Sequence, residues 1–379
     1  MALVLSEEQQ LLKESAVDFL NDKSPVTLAR ALRDNGDADG FSRALWKDMA
    51  ELGWTGIIFP EEHGGADMGY AELGILFEES GRRLSPYPLL STIVLGGGAL
   101  MAGGTEEQRS KVLPGVCSGE TLLAMAVQET ARFSPYAIET SAAADGSGYK
   151  INGKKIFVLD GHVANQLIVV ARTSGDANDR DGITLFLVPA DQQGISIVRT
   201  KMVDSRNAAQ ITFENVSVSA DQVVGTVGLG ADVLDNVFDR AAAVLASELV
   251  GISNEVFERT LAYLKTREQF GALIGTFQGL KHRAADMFCE IELSKSIALG
   301  ALRAIDDADP DATRVVSAAK ARTSDTSGLV TREGVQMHGG IGMTDEEELG
   351  LFLKRSKAAE LSFGDASYHR DRFATLTGF

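Results

Sequence analysis

The sequence predicts a mainly α protein with a central β domain. Helical spacing of apolar residues fills positions 1–118 and returns over 229–379, whereas the period falls to two between 119 and 228. The last segment carries four long apolar stripes with short connections, the pattern of a helical bundle. The middle segment carries short strands divided by turns such as Ser174-Gly175-Asp176, the pattern of a small antiparallel barrel or sandwich. With 379 residues the chain can build two or three cores, and three domains are expected: 1–118, 119–228 and 229–379.

In the first segment Ser6 is an N-cap candidate, with Glu7 and Glu8 favourably placed in the first turn. Leu11, Leu12, Ala16, Phe19 and Leu20 follow at helical spacing. A second helix runs through Ala44, Leu45, Met49 and Leu52 and ends at Gly53. Trp54 to Pro60 reads as a short extended segment, Glu61 to Ala66 as a turn-rich loop, and Tyr70 to Arg83 as a helix that Pro86 and Pro88 then break.

Leu122 to Val127 reads as a buried strand. Tyr149 to Val158 reads as a hairpin, with Asn152-Gly153 as its type I′ turn. Gln166 to Ala171, Ile183 to Val188, Ile195 to Val198 and Ala209 to Phe213 are further strands. The helices of the last segment are read over Asp235–Lys265, Phe277–Ala304, Asp311–Met337 and Asp345–Leu361, followed by a final run. Phe257, Met287 and Met337 fit core positions on them.

Composition narrows the function. Hydrophobic residues make up 44% and aromatics only 7%, which suits a soluble helical protein. No apolar run reaches the roughly 20 residues of a membrane span. The start, Met1 to Ser15, lacks the basic head and long apolar core of a signal peptide. Two cysteines, Cys117 and Cys289, argue against a disulfide framework and fit a reducing cytoplasm. A formal charge of −17 argues against a nucleic acid partner but leaves room for a phosphorylated small molecule at a local basic cluster. The histidines at 63, 162, 282, 338 and 369 show no metal-ligand spacing, so no metal site is expected.

Two stretches carry chemistry. In Thr266 to Gln278, Arg267 offers a planar fork for phosphate, Phe270 an apolar plate, and Gln278 both a donor and an acceptor. An adenine diphosphate needs those three kinds of contact; the plain alternative is a helix-terminal cation followed by a loop. In Gln336-Met337-His338-Gly339-Gly340-Ile341-Gly342 a helix ends in glycines that let a phosphate or ring approach the backbone, or that only cap the helix.

The α, then β, then four-helix order, with these stretches, resembles the acyl-CoA dehydrogenase family over essentially the whole chain. Arg267 to Gln278 looks like the family's R-x-x-F-G…Q segment, and Gln336 to Gly342 like its Q-x-x-G-G-x-G segment. Tyr149 to Lys155 looks like its central hairpin, and Asp204-Ser205-Arg206 with Ile211 to Val218 like the end of its β domain. The resemblance implies FAD, an acyl-CoA substrate, and electron transfer to an electron-transfer flavoprotein. It also implies an oligomer, since the family holds the ADP end of each FAD from a neighbouring subunit. Arg267, Phe270, Gln278, Gln336, Gly339 and Gly340 carry over to that role.

Other parts depart from the family pattern. Its T-E-P-G-A-G-S-D loop reads Gln128 to Pro135 here, retaining Glu129 and Ser134 and losing the glycines. Its W-I-T stretch beside the flavin reads Phe157-Val158-Leu159, so an aromatic remains and the threonine hydroxyl is lost; a backbone N–H can take its place. The glutamate that removes the α-proton falls on Phe363 in one family arrangement and on Ala241 in the other. Either Asp365 acts as the base, or Asp365 only caps the final helix, or the chain has no base and partners a catalytic sibling in a heterotetramer. An oxidase or flavin monooxygenase on the same fold is a further reading, with no residue that marks oxygen chemistry.

Overall fold

A computed structural model describes residues 4–379; Met1 to Leu3, part of the apolar start, lie outside the described residues. In chain order the elements begin with α1 (Glu7–Lys23), α2 (Val26–Asp34), α3 (Arg43–Glu51) and α4 (Tyr70–Arg83). A π-helical run, Leu90–Gly97, leads into α5 (Gly98–Gly103) and α6 (Glu106–Cys117). The sheet strands are β1 (Leu123–Ala126), β2 (Ser141–Asp145), β3 (Gly148–Leu159), β4 (Gln166–Arg172), β5 (Ile183–Pro189), β6 (Ile195–Lys201), β7 (Asn207–Ser219) and β8 (Val223–Val224). Then come α7 (Gly230–Thr266), a small hairpin of β9 (Glu268–Gln269) and β10 (Ala272–Leu273), α8 (Gln278–Asp306), α9 (Ala312–His338), α10 (Leu349–Leu361) and α11 (Ala366–Leu376).

The chain forms two compact units. One comprises residues 32–68 and 86–241, the other the described residues up to Ala31 together with 69–85 and 242–379. The expected mainly α architecture with a central sheet is present.

The first of these units is built on the sheet, ordered β6-β7-β3-β2-β4-β5-β8, with β1 joining β4. Strands β4 and β5 are buried along nearly their whole length, which explains their unbroken apolar runs. Leu167, Val169, Phe186, Val188, Ile211 and Phe213 lie in one cluster. The expected antiparallel barrel is not formed. The sheet is open, because its end strands β6 and β8 do not pair, and it is mixed, because β1 and β2 run parallel to β4.

The expected turn at Asn152-Gly153 is also corrected. The chain reverses earlier, where Asp145 pairs with Gly148, and β3 runs straight through Asn152-Gly153 as a bulge against β7. Gly153 is required there for packing: a Cβ would lie 2.5 Å from the Thr140 hydroxyl. Trp54 to Pro60 is not extended; it opens as a 3-10 turn over Trp54–Gly56. The prolines at 86 and 88 interrupt the helices only briefly, since the π-helical run and α6 follow. Thr105 starts α6, its hydroxyl accepting from Gln108 N while Gln108 Oε1 accepts from Thr105 N.

In the other unit α9 is the hub, packing against α8, α10 and α11. Its buried face is small and polar. Thr323 and Thr331 satisfy their hydroxyls on Ala319 O and Ser327 O, one turn back. Ser327 and Ser356 bond at 2.8 Å across to α10, and Ser294 bonds Thr326 from α8. Helices α4 and α7 approach closely: a Cβ on Gly251 would lie 1.9 Å from Glu78 O, and one on Gly81 2.4 Å from Glu248 O. Beneath them Glu248 and Arg355 form a fully buried two-pronged ion pair, Nε–Oε1 and Nη2–Oε2 both at 2.7 Å.

Candidate functional site

The hairpin after α7 is shaped for exposure. Arg267 N donates to Tyr263 O as the helix ends, and Ile274 N donates to Arg267 O to close the hairpin root. Gln269 pairs with Ala272, so Phe270 and Gly271 form a two-residue tip with φ of +55° and +78°. Positive φ at both positions is the type I′ pattern, and Gly271 supplies it without steric cost. Phe270 is 93% exposed, with the Phe277 ring edge-on to it at 6.3 Å between centroids. Gln278, also exposed, opens α8.

The glycine turn stands beside this root. Gly339 ends α9 with φ +65°, and a Cβ on either Gly339 or Gly340 would meet nothing within 4 Å. Tyr263 stacks on His338 with centroids 4.3 Å apart and donates its hydroxyl proton to His338 O. His338 Nδ1 donates in turn to Gly334 O. This buried histidine therefore packs the turn against the root of the hairpin. Arg267, Phe270, Gln278, Gln336, Gly339 and Gly340 are all exposed on these two joined segments.

In the sheet unit, Ser134 is exposed on the loop from 127 to 140, Phe157 is partly exposed with φ +53° at a bulge of β3, and Leu159 is half-buried. What holds that loop was not foreseen. Lys155, fully buried, donates to Glu129 Oε1 at 2.5 Å and to Val127 O at 3.1 Å. Glu129 also accepts from the backbone N–H groups of Glu139 and Thr140. Burial pushes the Lys155 ammonium down to about 8 against the pull of Glu129. Burial raises the Glu129 carboxyl, but Lys155 and the backbone donors more than offset this and hold it below the usual range.

The turn between α10 and α11 is held as tightly. Lys320, fully buried on α9, donates to Glu360 O at 2.8 Å and Gly364 O at 3.0 Å. His369 Nε2 donates to Phe363 O at 3.0 Å, while its Nδ1 is buried without a partner. These bonds fix Phe363 at φ +55°, uncommon for a bulky residue. Burial pushes Lys320 down to about 7 against Glu360 and Asp365, and burial with Lys320 pushes His369 down to about 3. Asp365 is the N-cap of α11, its Oδ1 accepting from Tyr368 N at 2.8 Å. Ala241 is buried on α7.

Family models described as the N-terminal, middle and C-terminal domains of acyl-CoA dehydrogenase match residues 6–120, 124–216 and 228–375. The chain is 31% identical to the probable acyl-CoA dehydrogenase YngJ of Bacillus subtilis (strain 168), over 98% of both. The chain belongs to the acyl-CoA dehydrogenase family. It is also 31% identical to the mitochondrial isovaleryl-CoA dehydrogenase of Solanum tuberosum, over 97% of this chain and 90% of that protein. Among solved structures, a Tcur3481-Tcur3483 steroid ACAD variant matches with TM-score 0.87 and 31% identity, over 98% of both chains. Butyryl-CoA dehydrogenase from Megasphaera elsdenii shares the fold with TM-score 0.92 over the full length of both chains, at 24% identity.

As a member of the family the protein is an oxidoreductase, and its relatives are FAD flavoproteins. Phe270 presents an uncovered aromatic face, Arg267 is exposed at the hairpin root, and Gly339 and Gly340 leave open backbone, with nothing within 4 Å of where a Cβ would stand. Among the described residues no helix is long and apolar enough to cross a membrane.

Proposed function

We propose that this chain is one subunit of an FAD-dependent acyl-CoA dehydrogenase that relies on a sibling chain for its catalytic base. The observation that carries this reading is the turn at Phe363. An aromatic ring there takes no proton, and the turn is pinned by Lys320 and His369. Glu248 is locked onto Arg355, and Asp365 caps α11. The Tcur3481-Tcur3483 steroid ACAD variant, 31% identical to this chain, is consistent with a mixed assembly.

FAD, when bound, supplies the acceptor for the β-hydride of the thioester. Arg267 would neutralise its diphosphate, with Phe270 against the adenine, Gln278 and Gln336 bonding polar edges, and Gly339 and Gly340 letting the ligand approach the backbone. Ser134, Phe157 and Leu159 would line the flavin end of a second FAD, whose ADP end lies on the neighbouring subunit. The α-proton would go to a carboxylate of the sibling. The electrons would pass to an electron-transfer flavoprotein; a solved chain 26% identical to this one comes from work titled for the electron transferring flavoprotein of Acidaminococcus fermentans. Division at about 118 and 228, an oligomer of two or four chains, and a cytoplasmic location complete the proposal.

The test is FAD retention. Arg267→Ala should lower the flavin content of the assembled enzyme at unchanged subunit stoichiometry, and full retention would count against the assigned role. A second reading keeps Asp365 as base in a lone enzyme, since its second oxygen is not used by the cap. Leaving the cap would cost about 1 kcal/mol. Asp365→Asn should abolish turnover under that reading and spare it under the proposal.

A further inference from the structure

We propose that Glu62, His63 and Glu106 form a binding site for a divalent transition-metal ion of the Zn2+ type. His63 closes the 3-10 turn Glu61–His63, and Glu106 is the first residue of α6. Spacing along the chain gives no hint of the site, because the fold brings Glu106 to an adjacent Glu-His pair from a different element. His63 is 97% buried, which fixes its ring. Nε2 stands 3.8 Å from Glu62 Oε1 and 3.7 Å from Glu106 Oε1, and the three ligand atoms lie within 4.8 Å of one another.

Those separations match a coordination shell better than a direct contact. At 3.7–3.8 Å neither carboxylate hydrogen-bonds the imidazole. Among the described residues the ring makes no other hydrogen bond, so Nε2 of this buried side chain faces the two carboxylates uncommitted. An ion with ligand bonds of about 2.0–2.2 Å in a tetrahedron spaces its ligands by roughly 3.4 Å. Both carboxylates are largely exposed, so closing by a few tenths of an ångström needs only a rotamer adjustment. Convergence of two carboxylates is unfavourable by itself and is relieved by a divalent charge. The imidazole selects zinc-like ions over Mg2+ or Ca2+, which take oxygen shells.

Two neighbours compete and set a moderate affinity. Ser110 Oγ donates to Glu106 Oε1 at 2.9 Å, and Arg109 Nη2 stands 3.6 Å from Glu106 Oε2. With three protein ligands the fourth position belongs to water, and no step of the dehydrogenation involves the site. Its effect would be to staple the turn at Pro60–Gly64 to the first turn of α6.

The experiment is calorimetric titration of the full-length, reduced protein with Zn2+ alone, repeated with Co2+ to read the visible bands of its coordination geometry. The wild type should take up one equivalent with moderate affinity, give tetrahedral Co2+ bands, and melt at higher temperature with Zn2+ present. Glu62→Gln/Glu106→Gln alters only exposed groups and should fold normally. It should weaken binding by roughly tenfold or more for each carboxylate removed and lose the Co2+ bands. Equal binding by wild type and variant would overturn the site, as would octahedral Co2+ bands alone or no heat of binding in the wild type.

Discussion

His369 gives the protein a specific acid weakness. Its ring is 1% exposed, Nε2–H is committed to Phe363 O, and Nδ1 is buried without a partner. A second proton would have to enter at Nδ1, in a site already occupied by the Lys320 ammonium. The folded protein therefore resists protonation until about pH 3, whereas the unfolded chain takes the proton near 6.5. Between these values the unfolded state binds more protons, so stability is lost as pH falls through the window. One proton is worth about 1.4 kcal/mol per pH unit, a ceiling of about 5 kcal/mol over the whole interval. Carboxylates begin to titrate below 4.5, so the clean range is pH 6 to 4.5, where His369 alone should cost about 2 kcal/mol. The control is His369→Gln, whose side-chain amide still donates to the Phe363 carbonyl but does not titrate. Unfolding free energies from urea titrations of both proteins at half-unit steps should converge, the variant losing about 2 kcal/mol less across the range. Parallel curves would refute the reasoning.

Other expectations follow from the same packing. Glu248→Gln leaves Arg355 charged and buried, and should cost about 3–5 kcal/mol in urea unfolding. Gly251→Ala drives a methyl into Glu78 O and should cost about 1–3 kcal/mol, whereas Gly350→Ala, with nothing within 4 Å, should stabilise α10 by up to about 1 kcal/mol. Lys320, near 7 when folded and 10.5 when unfolded, has released a proton that the unfolded chain still holds. Stability should therefore rise from pH 7 to 9 in the wild type and rise less in Lys320→Met, as measured by unfolding free energy at both values.

Much of the fold was legible because it rests on local periodicity. Tyr70–Arg83 is a helix over its expected span, and the three long stripes after Asp235 are α7, α8 and α9. The failures lie where a distant contact overrides a local signal. Asn152-Gly153 carries turn chemistry, yet pairing with β7 and the approach of Thr140 make it a bulge. The open sheet depends on which strands end unpaired, which no single strand encodes. Gly81 lies against the α7 backbone, a contact that nothing local in its helix signals. The hairpin tip and glycine turn stood out by residue type. Lys155, Lys320 and His369 did not, because a lysine or histidine that satisfies a distant carbonyl looks like any surface residue until the chain is folded. Buried lysines are rare enough that no composition signal would have found them.

We propose that this chain carries no base of its own. The purified lone chain, reconstituted with FAD, should be titrated anaerobically with acyl-CoA thioesters of varied chain length while the visible flavin band is followed. No bleaching should occur with any thioester until a sibling subunit is added. Bleaching of the lone chain would contradict it and place the base within this sequence.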